Sequence, residues 1–224
     1  MSPLIETHAL CKTYRIGTEE LHVLQDVNIA IDRGEFVSIM GPSGSGKSTL
    51  LYLIGGLDKP TSGSIRLKGQ ELSAMKDRQE SLMRRRDIGF VFQFYNLVPN
   101  LNVEENVMLP ALLDGKRQKA LRPRLDHLLE VVGLSDRRRH TPRELSGGQQ
   151  QRVAIARALL NEPDIIMADE PIGNLDSKTG FEIMTLMREI NRSEGATIVQ
   201  VTHSPEAAEY GNRVIHVKDG RISQ

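Results

Sequence analysis

Gly41-Pro42-Ser43-Gly44-Ser45-Gly46-Lys47-Ser48-Thr49 decides how the rest of the chain is read. It fits the pattern G-x-x-x-x-G-K-[ST] with no mismatch. Its flanks fit as well: Glu35-Phe36-Val37-Ser38-Ile39-Met40 reads as a buried strand, and Ser48 to Leu53 reads as the start of a helix. The glycines let the backbone turn tightly, so successive N–H groups point inward as an anion nest. The helix start adds partial positive charge aimed at the same place. Such a loop, here Gly41, Ser43, Gly44, Ser45, Gly46 and Thr49, holds the phosphates of a nucleoside triphosphate. Lys47 would reach the β- and γ-phosphates and the Ser48 hydroxyl would ligate Mg²⁺. A chance match in a chain of this length is on the order of one in a hundred, and the strand-loop-helix setting lowers it further.

Composition narrows the partners. With 224 residues the chain has room for one large α/β domain, or a core plus a subdomain. Its 29 basic residues balance 29 acidic ones, which argues against nucleic acid as the main partner. Cys11 is the only cysteine, so no disulfide framework or cysteine metal cluster is available, and a reducing, cytoplasmic location is the default expectation. Met1 to Ala9 lacks the pattern of a signal peptide. The longest apolar stretch, Leu50 to Leu57, is broken by Gly55-Gly56 and falls far short of the roughly 20 residues that span a bilayer. Work at a membrane would therefore need a membrane-embedded partner.

Around the loop the chain alternates strands and helices. Leu4 to Ile31 reads as antiparallel strands, with Leu24 to Asp32 alternating apolar and polar residues. Tyr14 lies in this segment; taken alone, it reads as a packed strand residue rather than a platform for a base. Ile88 to Phe92 reads as a strand ending at Gln93, preceded by the triplet Arg84-Arg85-Arg86, which reads as a solvated face. Phe94 to Glu144 carries helical periodicity, with apolar faces over Asn102–Leu109 and Arg124–Val132. It reads as a helical subdomain inserted into the α/β core. Its basic residues Lys116, Arg117, Lys119, Arg122, Arg124 and Arg137-Arg138-Arg139 read as charged exterior, with docking near anionic lipid the lesser alternative.

Two further places carry chemistry. Leu145-Ser146-Gly147-Gly148-Gln149 leads into an apolar helix, with Ser146 a natural N-cap. Two glycines in a first turn weaken a helix by about 1 kcal/mol each, so a purely structural role explains them poorly, whereas bare backbone at a helix start is a second place to hold phosphate. Ile165 to Ala168 reads as a buried strand ending in Asp169-Glu170, where α/β sheets place their ligands. Asp169 fits the Mg²⁺-binding acid that accompanies a phosphate loop, and Glu170 is placed to take a proton from an attacking water. Thr197 to Val201 is a further strand and delivers His203, at a strand end suited to sensing or positioning phosphate.

These residues together resemble the ATP-binding subunit of ABC transporters over essentially the whole chain. The match combines the phosphate loop, Gln93 as the Q-loop, Leu145 to Gln149 as the LSGGQ signature, Ile165 to Glu170 as Walker B, Gly173 to Asp176 as the D-loop and His203 as the switch histidine. The resemblance implies a P-loop NTPase (RecA-like) core, with residues 34–93 and 161–224 forming that core, 1–33 an antiparallel β subdomain and 94–160 the helical subdomain with the signature. It implies ATP and Mg²⁺ as cofactors and ATP hydrolysis as the activity. Tyr14 should stack on adenine, Glu170 should be the general base, Lys47 and His203 should contact phosphate, and Gln93 should contact Mg²⁺ or the attacking water. Ser146, Gly147, Gly148 and Gln149 should bind the ATP held by a second copy, so ATP would close a homodimer.

Finer features, Ala168-Asp169-Glu170-Pro171 and Phe94 to Asn106 among them, are similar to the macrolide-exporter, lipoprotein-releasing and antimicrobial-peptide-export branch. Ile172 departs from the Thr usual there. The branch implies a separate transmembrane permease, a peripheral position on the cytoplasmic face of the inner membrane, and export or extraction of a lipoprotein, peptide or drug. Two alternatives stand beside it: an ATPase switch that signals through a membrane protein without transport, as in cell division, and a soluble non-transport ABC ATPase.

Overall fold

The first hairpin is driven by alternation. In β2 (Glu19–Ile31) Leu24, Val27, Ile29 and Ile31 turn inward while their neighbours stay outside. β2 pairs antiparallel with β1 (Ile5–Ile16), whose other edge takes β4 (Ser62–Leu67) and then β5 (Gln70–Glu71). The antiparallel layer therefore extends past residues 1–33, because Ile65 and Leu67 of β4 need the same apolar cover as Ile5. The computed structural model describes residues 2–223.

The second sheet has the order β10-β9-β3-β8-β7-β6. Its members are β3 (Phe36–Met40), β6 (Ile88–Phe92), β7 (Ile165–Asp169), β8 (Thr197–Val201), β9 (Arg213–Lys218) and β10 (Arg221–Ser223), all parallel except β10 at one edge. The central strands are continuous apolar runs because both faces are covered. Alternate residues serve the two faces. Val37, Ile39, Ile165, Met167 and Val199 join the antiparallel layer and α1 (Lys47–Ile54) in one core. Phe36, Ile166, Ala168 and Ile198 join α3 (Val103–Leu113), α4 (Gln118–Val131), α5 (Gly147–Leu159) and α6 (Ser177–Glu194) in the other. α2 (Asp77–Asp87) precedes β6, and α7 (Pro205–Ala208) follows β8.

Several elements depart from the sequence reading. α2 was not expected, since only Glu80 and Met83 are buried along it. Acids in its first turn and three arginines in its last suit the helix dipole instead. Those arginines are not a free solvated face. Arg84 donates to the Gly56 carbonyl at 2.8 Å, Arg85 to the Leu113 carbonyl at 3.1 Å, and Arg86 to Asp114 at 2.8 Å. They pin α2 to the end of α1 and to α3. α3 and α4 also run through Pro110 and Pro123, residues that ordinarily end a helix.

The basic surface of the helical segment is likewise partnered. Glu104, 1% exposed, collects Arg122, Arg138 and Arg139, while Arg124 pairs with Glu194 on α6. Four of the residues that could have faced anionic lipid thus bind the protein itself.

Candidate nucleotide site

The phosphate loop leaves β3 and enters α1 through Gly46, at φ +98°. A side chain there would meet the Leu24 Cδ2 and the Val23 carbonyl oxygen, both 2.8 Å from its Cβ, so β2 presses directly on the loop. Lys47 is 8% exposed, and its Nζ donates to the Pro42 carbonyl at 2.8 Å, folding the ammonium back over the loop. Ser45 is 5% exposed and its Oγ has no hydrogen-bond partner. An orphaned buried hydroxyl beside an ammonium and a helix start is a set of donors fitted to phosphate oxygens.

Ser48 and Tyr52 lie four residues apart on one face of α1 and share a target. The Ser48 Oγ donates to Asp169 Oδ1 at 2.8 Å, and the Tyr52 hydroxyl donates to Oδ2 in a short hydrogen bond. Burial first, then the Asp169 hydrogen bond and charge, push the Tyr52 hydroxyl up to about 12. A serine hydroxyl and a single carboxylate are hard oxygen donors of the kind Mg²⁺ accepts beside substrate phosphate. Among the described residues no cluster of three or more His, Cys, Asp or Glu could hold a cation by itself.

The next residue turns the other way. Glu170 has φ +47°, a left-handed backbone for a non-glycine, and its N–H donates to the Val201 carbonyl at 3.0 Å. Holding that conformation costs of order 1–3 kcal/mol, a cost met where the geometry serves function. Its Oε1 lies 3.0 Å from His203 Nδ1, so the ends of adjacent β7 and β8 bring the expected base and the expected phosphate sensor into contact. The Glu170 side chain is largely covered, while His203 is open to solvent. A carboxylate steered by an exposed imidazole can accept a proton from a water held beside it.

Gln93, at the end of β6, is held elsewhere. Its Nε2 donates to Asn174 Oδ1 at 3.3 Å, and Asn174 Nδ2 donates back to the Gln93 carbonyl at 2.9 Å. It has no hydrogen bond to Ser48 or Asp169. Tyr14 sits beside the loop with its hydroxyl on Asp58 at 2.7 Å, and the Lys12 ammonium lies over its ring at 4.6 Å. Burial first, then the Asp58 hydrogen bond and charge, push its hydroxyl up.

The signature lies apart from all of these. Ser146 caps α5, exchanging hydrogen bonds with Gln149 at 3.0 and 3.3 Å. Each of the two glycines also faces a neighbouring side chain. A Cβ on Gly148 would sit 2.4 Å from Thr179 Cγ2, and one on Gly147 would sit 2.9 Å from the Tyr95 hydroxyl oxygen. The sequence reading also missed Tyr52, whose four-residue spacing from Ser48 could have revealed it, and Arg157. The Arg157 guanidinium donates to the Tyr95 and Asn96 carbonyls at 2.7 and 2.5 Å, and both of those residues have positive φ. No local signal marks that pairing across 61 residues.

The ABC transporter family profile matches residues 24–173. The chain belongs to the ABC transporter family. It is 48% identical, over 98% of its length, to 34% of the Macrolide export ATP-binding/permease protein MacB of Shewanella sp. strain W3-18-1. It is 44% identical to the Lipoprotein-releasing system ATP-binding protein LolD 1 of Rhodopseudomonas palustris, with each chain covered in full. Its fold superposes with a TM-score of 0.90 and 46% identity on a dimeric, post-hydrolysis structure of the ATP-binding cassette MJ0796, of Methanocaldococcus jannaschii, bound to ADP and Pi. That match covers 98% of this chain and 97% of the other. The ABC ATPase is thus an ATP-binding subunit of the macrolide-exporter and lipoprotein-releasing type, and its activity is ATP hydrolysis. No helix among the described residues is long and apolar enough to cross a membrane.

Proposed function

We propose that this ABC ATPase powers export or extraction of a lipoprotein, peptide or drug through a separate permease, from a peripheral position on the cytoplasmic face of the inner membrane. One observation carries the reading. The chain builds a phosphate loop with an acid, a base and a histidine at the ends of β3, β7 and β8, and a second anion-ready helix start at Ser146 that no hydrogen bond joins to that loop. Two copies facing each other would complete two sites, each pairing one loop with the other's Ser146-Gly147-Gly148-Gln149.

Within each site Gly44 to Thr49 and Lys47 grip the phosphates, and Tyr14 offers one ring face to adenine while Lys12 covers the other. Ser48 and Asp169 would hold Mg²⁺, with Gln93 joining them once it leaves Asn174. Bound there, the cation would neutralise charge on the phosphate oxygens. Glu170 would take the proton of the attacking water, and His203 would orient Glu170 through Nδ1 and contact the γ-phosphate. Ile172, packed against Gly180, lies between the base and the D-loop.

The test is a pull-down from detergent-solubilised membranes using Glu170→Gln with Mg-ATP. Recovery of a multi-pass membrane protein is expected. Recovery of soluble proteins alone would overturn the transport reading while leaving the nucleotide chemistry standing.

A further inference from the structure

We infer that Tyr52 is a positioning residue for the cation site, holding Asp169 by its outer oxygen so that Ser48 keeps an acceptor for its O–H. The only side-chain or backbone donors that reach the Asp169 carboxylate among the described residues are Ser48 Oγ at 2.8 Å and the Tyr52 hydroxyl. Each takes one oxygen. A serine hydroxyl offers its lone pairs to a cation only while its proton points elsewhere, and Asp169 Oδ1 is where that proton points. The carboxylate torsion of an aspartate is soft, so one contact does not fix its plane. Tyr52 supplies the second. Its own backbone is fixed in turn, because the Tyr52 carbonyl accepts from the Leu57 N–H at 2.8 Å and its ring packs beside the core under the antiparallel layer. The order Tyr52 to Asp169 to Ser48 is thus one hydrogen-bonded line ending at the cation's ligand. Such outer partners commonly set metal affinity by about 10- to 100-fold.

The inference rests on the reading of Ser48 and Asp169 as the Mg²⁺ site, and the experiment separates the two. Mn²⁺ is titrated into the full chain at fixed ATP, with free Mn²⁺ followed by electron paramagnetic resonance. Binding of a fluorescent ATP analogue in EDTA is measured alongside. Tyr52→Phe should raise half-saturating Mn²⁺ about tenfold and leave metal-free nucleotide binding unchanged. Tyr52→Leu, which also loses the ring, controls for packing. A Phe variant within about twofold of wild type, or one that loses metal-free binding in parallel, would make Tyr52 a packing residue and overturn the inference. A wild-type chain that takes up no Mn²⁺ with ATP would instead sink the Ser48–Asp169 site itself.

Discussion

Alanine at Gly46 and alanine at Gly44 look alike in sequence and should differ sharply in effect. Both glycines have positive φ, +98° and +77°. A left-handed backbone costs an alanine about 1–2 kcal/mol at either place. Space separates them. Nothing lies within 4 Å of a Cβ on Gly44, whereas a Cβ on Gly46 would meet Leu24 Cδ2 and the Val23 carbonyl at 2.8 Å. The Leu24 methyl can swing aside, but the Val23 carbonyl belongs to β2 and moves only with its strand. Overpacking of this kind adds about 1–3 kcal/mol. Gly46→Ala should therefore cost about 2–5 kcal/mol in total, against about 1–2 for Gly44→Ala. In a chain of 224 residues each kcal/mol lowers Tm by about 2–4 °C, so the expected falls are about 10 °C and about 4 °C. Calorimetry of the two variants reads the difference directly, and ATP binding shows whether the loop keeps its shape. Equal Tm values for the pair would mean that β2 does not brace the loop, and the link from the antiparallel layer to the phosphate site would be wrong.

Glu170→Gln should keep ATP binding and lose at least about 100-fold in phosphate release, and a rate near wild type would remove Glu170 as the base. Arg157→Ala should speed backbone hydrogen exchange over residues 94–97, because it removes both donors to the Tyr95 and Asn96 carbonyls; unchanged exchange there would refute the bracing role. Burial pushes the Asp58 carboxyl up, but hydrogen bonds from Lys12, Tyr14 and the Lys59 N–H outweigh it and hold it below its ordinary range. A depressed folded value stabilises the protein above the unfolded pKa, about 3.9, and that stability is lost as pH falls through the lower folded value. Asp58→Asn should lower Tm at pH 7 and flatten the loss of Tm below about pH 4, and an unchanged acid profile would count against the Lys12–Asp58–Tyr14 cluster.

The sheet and the positions of Asp169, Glu170 and His203 at its strand ends were legible because they follow from strong local rules. Continuous apolar runs mark buried parallel strands, and the residue just past such a run stands at the sheet's ligand-binding end. Ile165 to Asp169 obeys that rule, so Asp169 and Glu170 could be placed before any contact was known. His203 follows β8 by the same logic, and β8 lies beside β7. α2 was not legible, because a helix stabilised by charge at its ends and two buried residues has no apolar face to read. The apolar face over Arg124–Val132 marks only the later part of α4; Leu121 and Leu125 bury their side chains on either side of Pro123 and carry the helix through it.

Charge was the weakest guide, for a physical reason. A sequence reports that an arginine is present but not where its long side chain ends, and the stem reaches partners several residues away in any direction. Arg122, Arg138 and Arg139 look like a basic exterior until the fold brings them around Glu104. Gathered on a buried carboxylate they keep it from standing unpaired in the core, while Arg139 remains largely exposed. Glu104 gave no hint of this, since an acid in the first turn of a helix already has a sufficient explanation in the dipole. Two causes that predict the same residue cannot be told apart from sequence, and at Glu104 burial is the one that decides.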